Sequence, residues 1–372
     1  SGQSAGRVVV ATIDTSNPAA PTITGRTTIP LSRPSYGYYG YGGCGIGYDG
    51  YSYYSYWGGY YWNVIGAGDS FVQVGNKLAY LEVLSDWVDS KGNPYDSSNP
   101  TYDYSDYHYE YTRILHVVDL TNPASLIHEK PIQLPESRGT TPLHVMNGQV
   151  LTSRWTPSPA NKNKVRFYVD RVDLNGATTA LASVNVPGSL LQVDASSSRI
   201  VTTDYHVNRT AATDWNDCYY KNGYRGWFDY EANECVVVNR DFKLADVVGN
   251  KVTLRQTFTP PSQAIGGVQL ADDRIYMTHY SVYDYQPYDP ANPYQEPKIR
   301  EEGGLWAIGG LRAGNLSIVS QLTAEANWPL AAKGTKVAVY QADGLAIYDT
   351  ATTTPKLVSS ARLRGYGYSS NV

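Results

Sequence analysis

The sequence is poor in the residues that usually fill a fatty interior: among 372 residues there are 5 Phe and 2 Met. No apolar run approaches the roughly 20 residues that a membrane-spanning helix needs. Clustered Lys and Arg are missing too; the net charge is −4, which argues against a nucleic-acid footprint. Helical periodicity is almost absent, as are the GxSxG, HExxH and strand–GxGxxG–helix arrangements that would mark a hydrolase, a zinc protease or a phosphate cradle. The first residue is Ser1 rather than Met, so the sequence reads as a processed or trimmed product. Tyrosine is abundant instead, with 34 copies, and an amphipathic aromatic need not be buried.

Apolar and polar residues alternate in short runs such as Arg7 to Ile13, Arg113 to Asp119, Val165 to Val172 and Lys336 to Tyr340, separated by Gly, Pro, Asn and Asp. This period of two predicts strands. Two units recur. One is an apolar strand, an Asp, a small polar turn and a second strand, at Val8 to Pro30, Ile114 to Pro135, Leu345 to Leu363 and, more loosely, Phe167 to Pro187. Its Asp suits a tight turn, because the carboxylate can accept from the backbone N–H two residues on. The other is a strand, a Gly/Asn/Asp turn and a strand, at Phe71 to Val83, Leu143 to Thr152, Leu190 to Thr203, Val268 to Thr278 and Leu330 to Tyr340. Joined, the two units give four antiparallel strands, one blade of a β-propeller.

The expected fold is therefore all-β: a single propeller of four-stranded antiparallel blades over 1–372, six blades with seven as the alternative. Complete blades are expected at about 64–135, 139–187, 189–260, 262–322 and 326–364, with 7–30 contributing to a closing blade. Hairpins such as Ile13 to Pro21 (IDTSNPAAP) resemble the repeats of bacterial secreted β-propeller proteins of the LVIVD-repeat type. That resemblance implies a location at or beyond the cell envelope. The family has no defined catalytic motif, so it transfers no catalytic residue.

Four insertions interrupt the repeats, at about 33–62, 86–111, 205–234 and 280–303. The last three fall between the second and third strands of their blades, which predicts that they share one face of the ring. Loops on a rigid scaffold are where function concentrates. Between Tyr36 and Tyr61 there are eleven Tyr and nine Gly. Tyr36, Tyr38, Tyr39, Tyr41, Tyr48, Tyr51, Tyr53, Tyr54, Tyr56, Trp57, Tyr60, Tyr61 and Trp62 are the candidate binding residues, because glycine supplies adaptable backbone and tyrosine supplies stacking area with a hydroxyl.

Cys218 and Cys235 bracket a polar, aromatic stretch and are expected to close a disulfide, worth ~3 kcal/mol in the chain-entropy picture, in an oxidising compartment. Cys44 is then a free thiol or bonds another chain. Asp103, Asp106 and Glu110 are weak calcium candidates; no cofactor is otherwise expected, and no calcium-loop spacing is present. His206 and His279 follow corresponding strands and could face one rim, although repeat equivalence alone explains that. The expected role is non-catalytic and extracytoplasmic: binding a protein or polysaccharide partner at the cell surface, without nucleic acid and without spanning a membrane, as part of a homo- or hetero-oligomer. The alternatives are a secreted glycan-active hydrolase or lyase using carboxylates, and a metal-binding propeller.

Overall fold

The computed structural model describes residues 6–32, 70–89, 91–93, 108–158, 161–222, 226–262, 265–284, 298–323, 328–341 and 344–362. The aromatic loop residues Tyr36 to Trp62, Cys44, Asp103 and Asp106 lie outside them. Two compact units emerge, one of residues 1–198 with 247–252, the other of 199–246 with 253–372.

In the first unit, β1 (Arg7–Asp14) and β2 (Thr22–Pro30) form an antiparallel hairpin. Next, β3 (Ser70–Val74), β4 (Lys77–Val88) and β5 (His108–Asp119) pair in order, and the short β6 (Ile127–His128) and β7 (Ile132–Gln133) both pair with β5. Then β8 (His144–Met146), β9 (Gln149–Ser158), β10 (Asn161–Asp173) and β11 (Thr179–Val186) form a four-stranded meander. A five-stranded sheet contains β12 (Ser189–Asp194), β13 (Arg199–Ala211), β14 (Gly226–Asp229), β15 (Glu234–Val248) and β16 (Lys251–Phe258), with β14 and β16 both pairing with β15; the division between the units falls within it.

In the second unit, β17 (Ile265–Ala271) and β18 (Arg274–His279) continue after the two-stranded excursion β19 (Val282–Asp284) and β20 (Lys298–Glu301) into β21 (Gly304–Gly309) and β22 (Ser317–Leu322). The strands β23 (Trp328–Lys333), β24 (Lys336–Gln341), β25 (Gly344–Asp349) and β26 (Lys356–Arg362) make another four-stranded sheet. Successive antiparallel meanders of this size are propeller blades, so the chain is an all-β propeller.

Local chemistry explains the hairpins. The Oδ1 atoms of Asp14, Asp119, Asp173 and Asp349 accept from the backbone N–H of Ser16, Thr121, Asn175 and Ala351 at 2.8–3.0 Å, as the repeat predicts. Those bonds favour the ionised form; hydrogen bonding to Ser16 holds the Asp14 carboxyl below its ordinary range. Asn147 and Gly148 between β8 and β9 take φ of 53° and 77°, the two positive values that a type I′ turn requires. Gly25 has a different reason: a Cβ there would run into the backbone carbonyl of Pro123, in the neighbouring Asp119 turn.

Alternation decides what faces inward. Leu115 and Val117 of β5 pack with Ala79, Leu81, Val150 and Val172 between adjacent sheets. Arg113 lies on the same strand face and is wholly buried. Its Nη2 donates to Asp170 Oδ2 at 2.5 Å and to the Pro135 carbonyl at 2.7 Å. Asp170 Oδ1 also accepts from Arg154 Nε at 3.1 Å and from Ser183 Oγ at 2.5 Å. Burial draws the Arg113 pKa down, while the Asp170 charge and hydrogen bond oppose it. On the opposite face, Glu82 accepts from the Ser32 N–H at 2.7 Å and faces His116 Nε2 at 3.0 Å, and His116 Nδ1 meets His128 Nε2 at 3.2 Å.

Candidate functional site

Three insertions leave their sheets between the second and third strands, and the structure shows them to be partly strand. The 86–111 stretch, expected as loop, begins and ends in β4 and β5, whose register runs unbroken from Lys77↔Asp119 to Val88↔His108. The 280–303 stretch contains the paired β19 and β20. The 205–234 stretch is carried by β13 and β15, paired from Arg199↔Asp246 to Ala211↔Glu234. Val, Tyr and Thr in these segments suit a pleated surface, which extends the ladders past the expected boundaries.

The third insertion is the best-built of them. Its helix α1 (Trp215–Asn222) begins on a reciprocal cap: Asp214 Oδ1 accepts from the Asp217 N–H at 2.8 Å, and Asp217 Oδ2 accepts from the Thr213 N–H at 3.0 Å. The cap places Cys218 against Cys235 at the start of β15, and the two form a disulfide with their Cα atoms 5.1 Å apart. Ala212, Cys218, Phe228 and Cys235 make a small buried core with Val237 packed on it. At the turn, Asp229 Oδ1 accepts from the Glu231 and Ala232 N–H groups, and Arg209 binds Asp229 and Glu234 at 3.0 and 3.1 Å. Among the described residues Trp215 is 44 % exposed and Tyr230 is 74 % exposed, the Tyr230 ring meeting Phe228 of this core edge-on. The result is a disulfide-crosslinked insertion that exposes Trp215, Tyr230 and the charged Arg209.

In the first unit, Asp86, Val88, Gly92, Glu110, Tyr111, Thr112 and Glu136 line an open cleft of about 240 Å³. Asp86 and Glu110 are direct cross-strand partners, and Arg138 lies 3.5 Å from Glu110. Of the three calcium candidates, only Glu110 falls in the described residues. Among those residues, no group of three or more His, Cys, Asp or Glu is arranged to hold a metal ion.

The histidines are dispersed in different settings. His206 sits inside β13 rather than after it, because that strand runs on to Ala211, and its Nδ1 lies 2.7 Å from Asp241 Oδ2. His279, at the end of β18, stacks on Trp306 with ring centroids 3.8 Å apart. The ring nitrogens of His279 have no hydrogen-bond partner among the described residues. Corresponding strand positions thus lead to unlike environments.

Burial pushes the His279 pKa down to about 4, against a smaller opposing effect of Glu301. His144 is lowered to about 4 by burial as well. For a histidine with a depressed folded pKa, the unfolded chain takes up the proton first as pH falls below 6.5. Stability is therefore full above 6.5 and declines towards 4, by up to about 3 kcal/mol for one such group before solvent screening. His279 is the residue to test, because it is only 5 % exposed while His144 keeps part of its surface accessible. Urea unfolding of H279F between pH 7 and 4.5 is expected to show a shallower loss of stability than the parent chain. Parallel curves would refute this origin of the acid sensitivity.

No protein-family model and no curated protein sequence matches the chain. Among solved structures, the chain is similar to the Pan2 WD40 domain of Neurospora crassa, at 7% identity, 80% coverage of each chain and a TM-score of 0.33. It is also similar to Sqt1 of Chaetomium thermophilum, at 12% identity, covering 80% of this chain and 73% of that one, with a TM-score of 0.34. Likeness at this level carries no argument about what the chain does.

Proposed function

We propose that the chain is a non-catalytic, extracytoplasmic propeller that binds a protein or glycan partner through its insertions, as a subunit of an envelope or appendage assembly. The carrying observation is the Cys218–Cys235 disulfide that crosslinks the third insertion, which also carries the exposed Trp215 and Tyr230. Rigid aromatics contribute contact area with little ordering entropy. A disulfide suits an oxidising compartment, in keeping with the resemblance of the Asp–Pro hairpins to secreted propellers. No helix among the described residues is long and apolar enough to cross a membrane.

The Tyr/Gly-rich segment from Tyr36 to Trp62 and the disulfide-crosslinked insertion are each assigned a contact of their own. Deleting 36–62 is expected to leave the far-UV circular dichroism and thermal midpoint of the chain unchanged. The same deletion is expected to abolish capture of partners from a cell-envelope extract. Capture of the same material at undiminished yield by the deletion variant would overturn the assignment. In the second reading the carboxylate-lined cleft is a glycan-cleaving site; release of reducing sugar from envelope polysaccharide, lost in E110Q, would favour it.

A further inference from the structure

Among the described residues, the Arg113 side chain is the largest that is fully buried, and the carboxylate it pairs with, Asp170, is shared with a second cation. Two guanidinium groups, those of Arg113 and Arg154, share one carboxylate, Asp170, among the described residues. Arg154 also has Tyr168 under its guanidinium, 4.5 Å from the ring centroid, and keeps some exposure. Arg113 has neither relief. Its Nη2 is used by Asp170 and Pro135, whereas Nε and Nη1 are buried without a hydrogen-bond partner among the described residues. The neutral groups at this position do not cancel the excess: Ser183 donates to Asp170, and the Pro135 carbonyl is already used.

Buried N–H donors are almost always satisfied by protein, water or an ion. A guanidinium does not escape by losing its proton, and an uncompensated buried charge is strongly destabilising. Water would satisfy the donors but leave the net positive charge. We propose that the first unit holds a small monovalent inorganic anion, with chloride as the physiological occupant, against the unpaired donors of Arg113. The site would be structural: the anion completes the Arg113–Asp170–Arg154 charge balance at the end of the Leu115–Val117 core. A compact ion is favoured over a polyatomic one, because Arg113 shares its strand face with tightly buried apolar residues.

The test compares thermal midpoints in sodium chloride and sodium gluconate at equal ionic strength. Chloride is expected to raise the midpoint of the parent chain by about 4 °C when well above its dissociation constant, and bromide is expected to substitute for it. The R113M/D170N variant, which removes the unpaired donors and their carboxylate together, is expected to lose the difference between the two salts. If that variant does not fold, crystals of the parent chain grown in bromide provide the second measurement, with an anomalous peak expected in hydrogen-bond range of the Arg113 guanidinium. Equal midpoints in the two salts, or bromide confined to the surface, would overturn the proposal.

Discussion

Replacing Asp170 with alanine is expected to lower folding stability by about 3–5 kcal/mol, the range found when one member of a buried ion pair is removed. The size follows from what the carboxylate does. It accepts from Arg113, Arg154 and Ser183 at 2.5–3.1 Å, and Arg113 has no solvent contact through which to recover its hydration. Arg154 is expected to suffer less, since it retains Tyr168 and partial exposure. D170N, which preserves volume and accepting capacity but not charge, should fall between the parent and D170A. Adding R113M to D170N should recover part of the loss, because an apolar chain then replaces an uncompensated cation. Denaturant midpoints at constant slope measure this directly. D170A with a stability within about 0.5 kcal/mol of the parent, the ordinary span of a surface change, would remove the network from the account.

The second large effect concerns Cys218 and Cys235. A 17-residue separation corresponds to about 3 kcal/mol of loop-closure stabilisation in the chain-entropy picture. C218A/C235A, or reduction of the parent chain, is expected to act locally. Besides the cysteines the buried set is only Ala212 and Phe228 among the described residues, with Val237 partly buried against it, so without the crosslink the helix α1 loses a main anchor while β14 keeps its ladder to β15. Amide exchange from Trp215 to Asn222 should accelerate by about two orders of magnitude, while the β13–β15 ladder near Ile200 and Leu244, both wholly buried, stays protected. Uniform loss of protection across that sheet would instead make the disulfide a global staple. Unchanged exchange at the tip would show that it holds itself without the bond.

The parts of this molecule that were legible in the sequence are the ones set by near neighbours. The alternation of Arg113, Leu115 and Val117 gives a strand with one face inward, and Asp14, Asp119 and Asp349 mark their turns by a bond to the residue two places on. The pairing of Cys218 with Cys235 was readable because both close one short insertion. Contacts across long separations were not readable. Arg113 stands at an inward position of its strand, which flags it, but nothing local points to Asp170, 57 residues away. The same holds for Glu82, whose partners Ser32 and His116 come from different segments. The helix α1 is only eight residues long, too short for periodicity to reveal; the Asp214–Asp217 cap was the available signal. The insertions looked like loops because Tyr, Asp and Gly dominate them, yet the flanking Val, Thr and Tyr carry the strands outward on ladders whose pairing is itself non-local.

The central claim is that the sheets are a scaffold and recognition resides in the insertions. Hydrogen exchange of the chain alone and with its captured envelope partner tests it most directly. The account predicts new protection in 36–62 and in the disulfide-crosslinked insertion around Trp215 and Tyr230, with the sheet cores unchanged. Protection confined to the sheet cores, such as the strands carrying Leu115 and Val150, with the insertions exchanging as in the free chain, would contradict it.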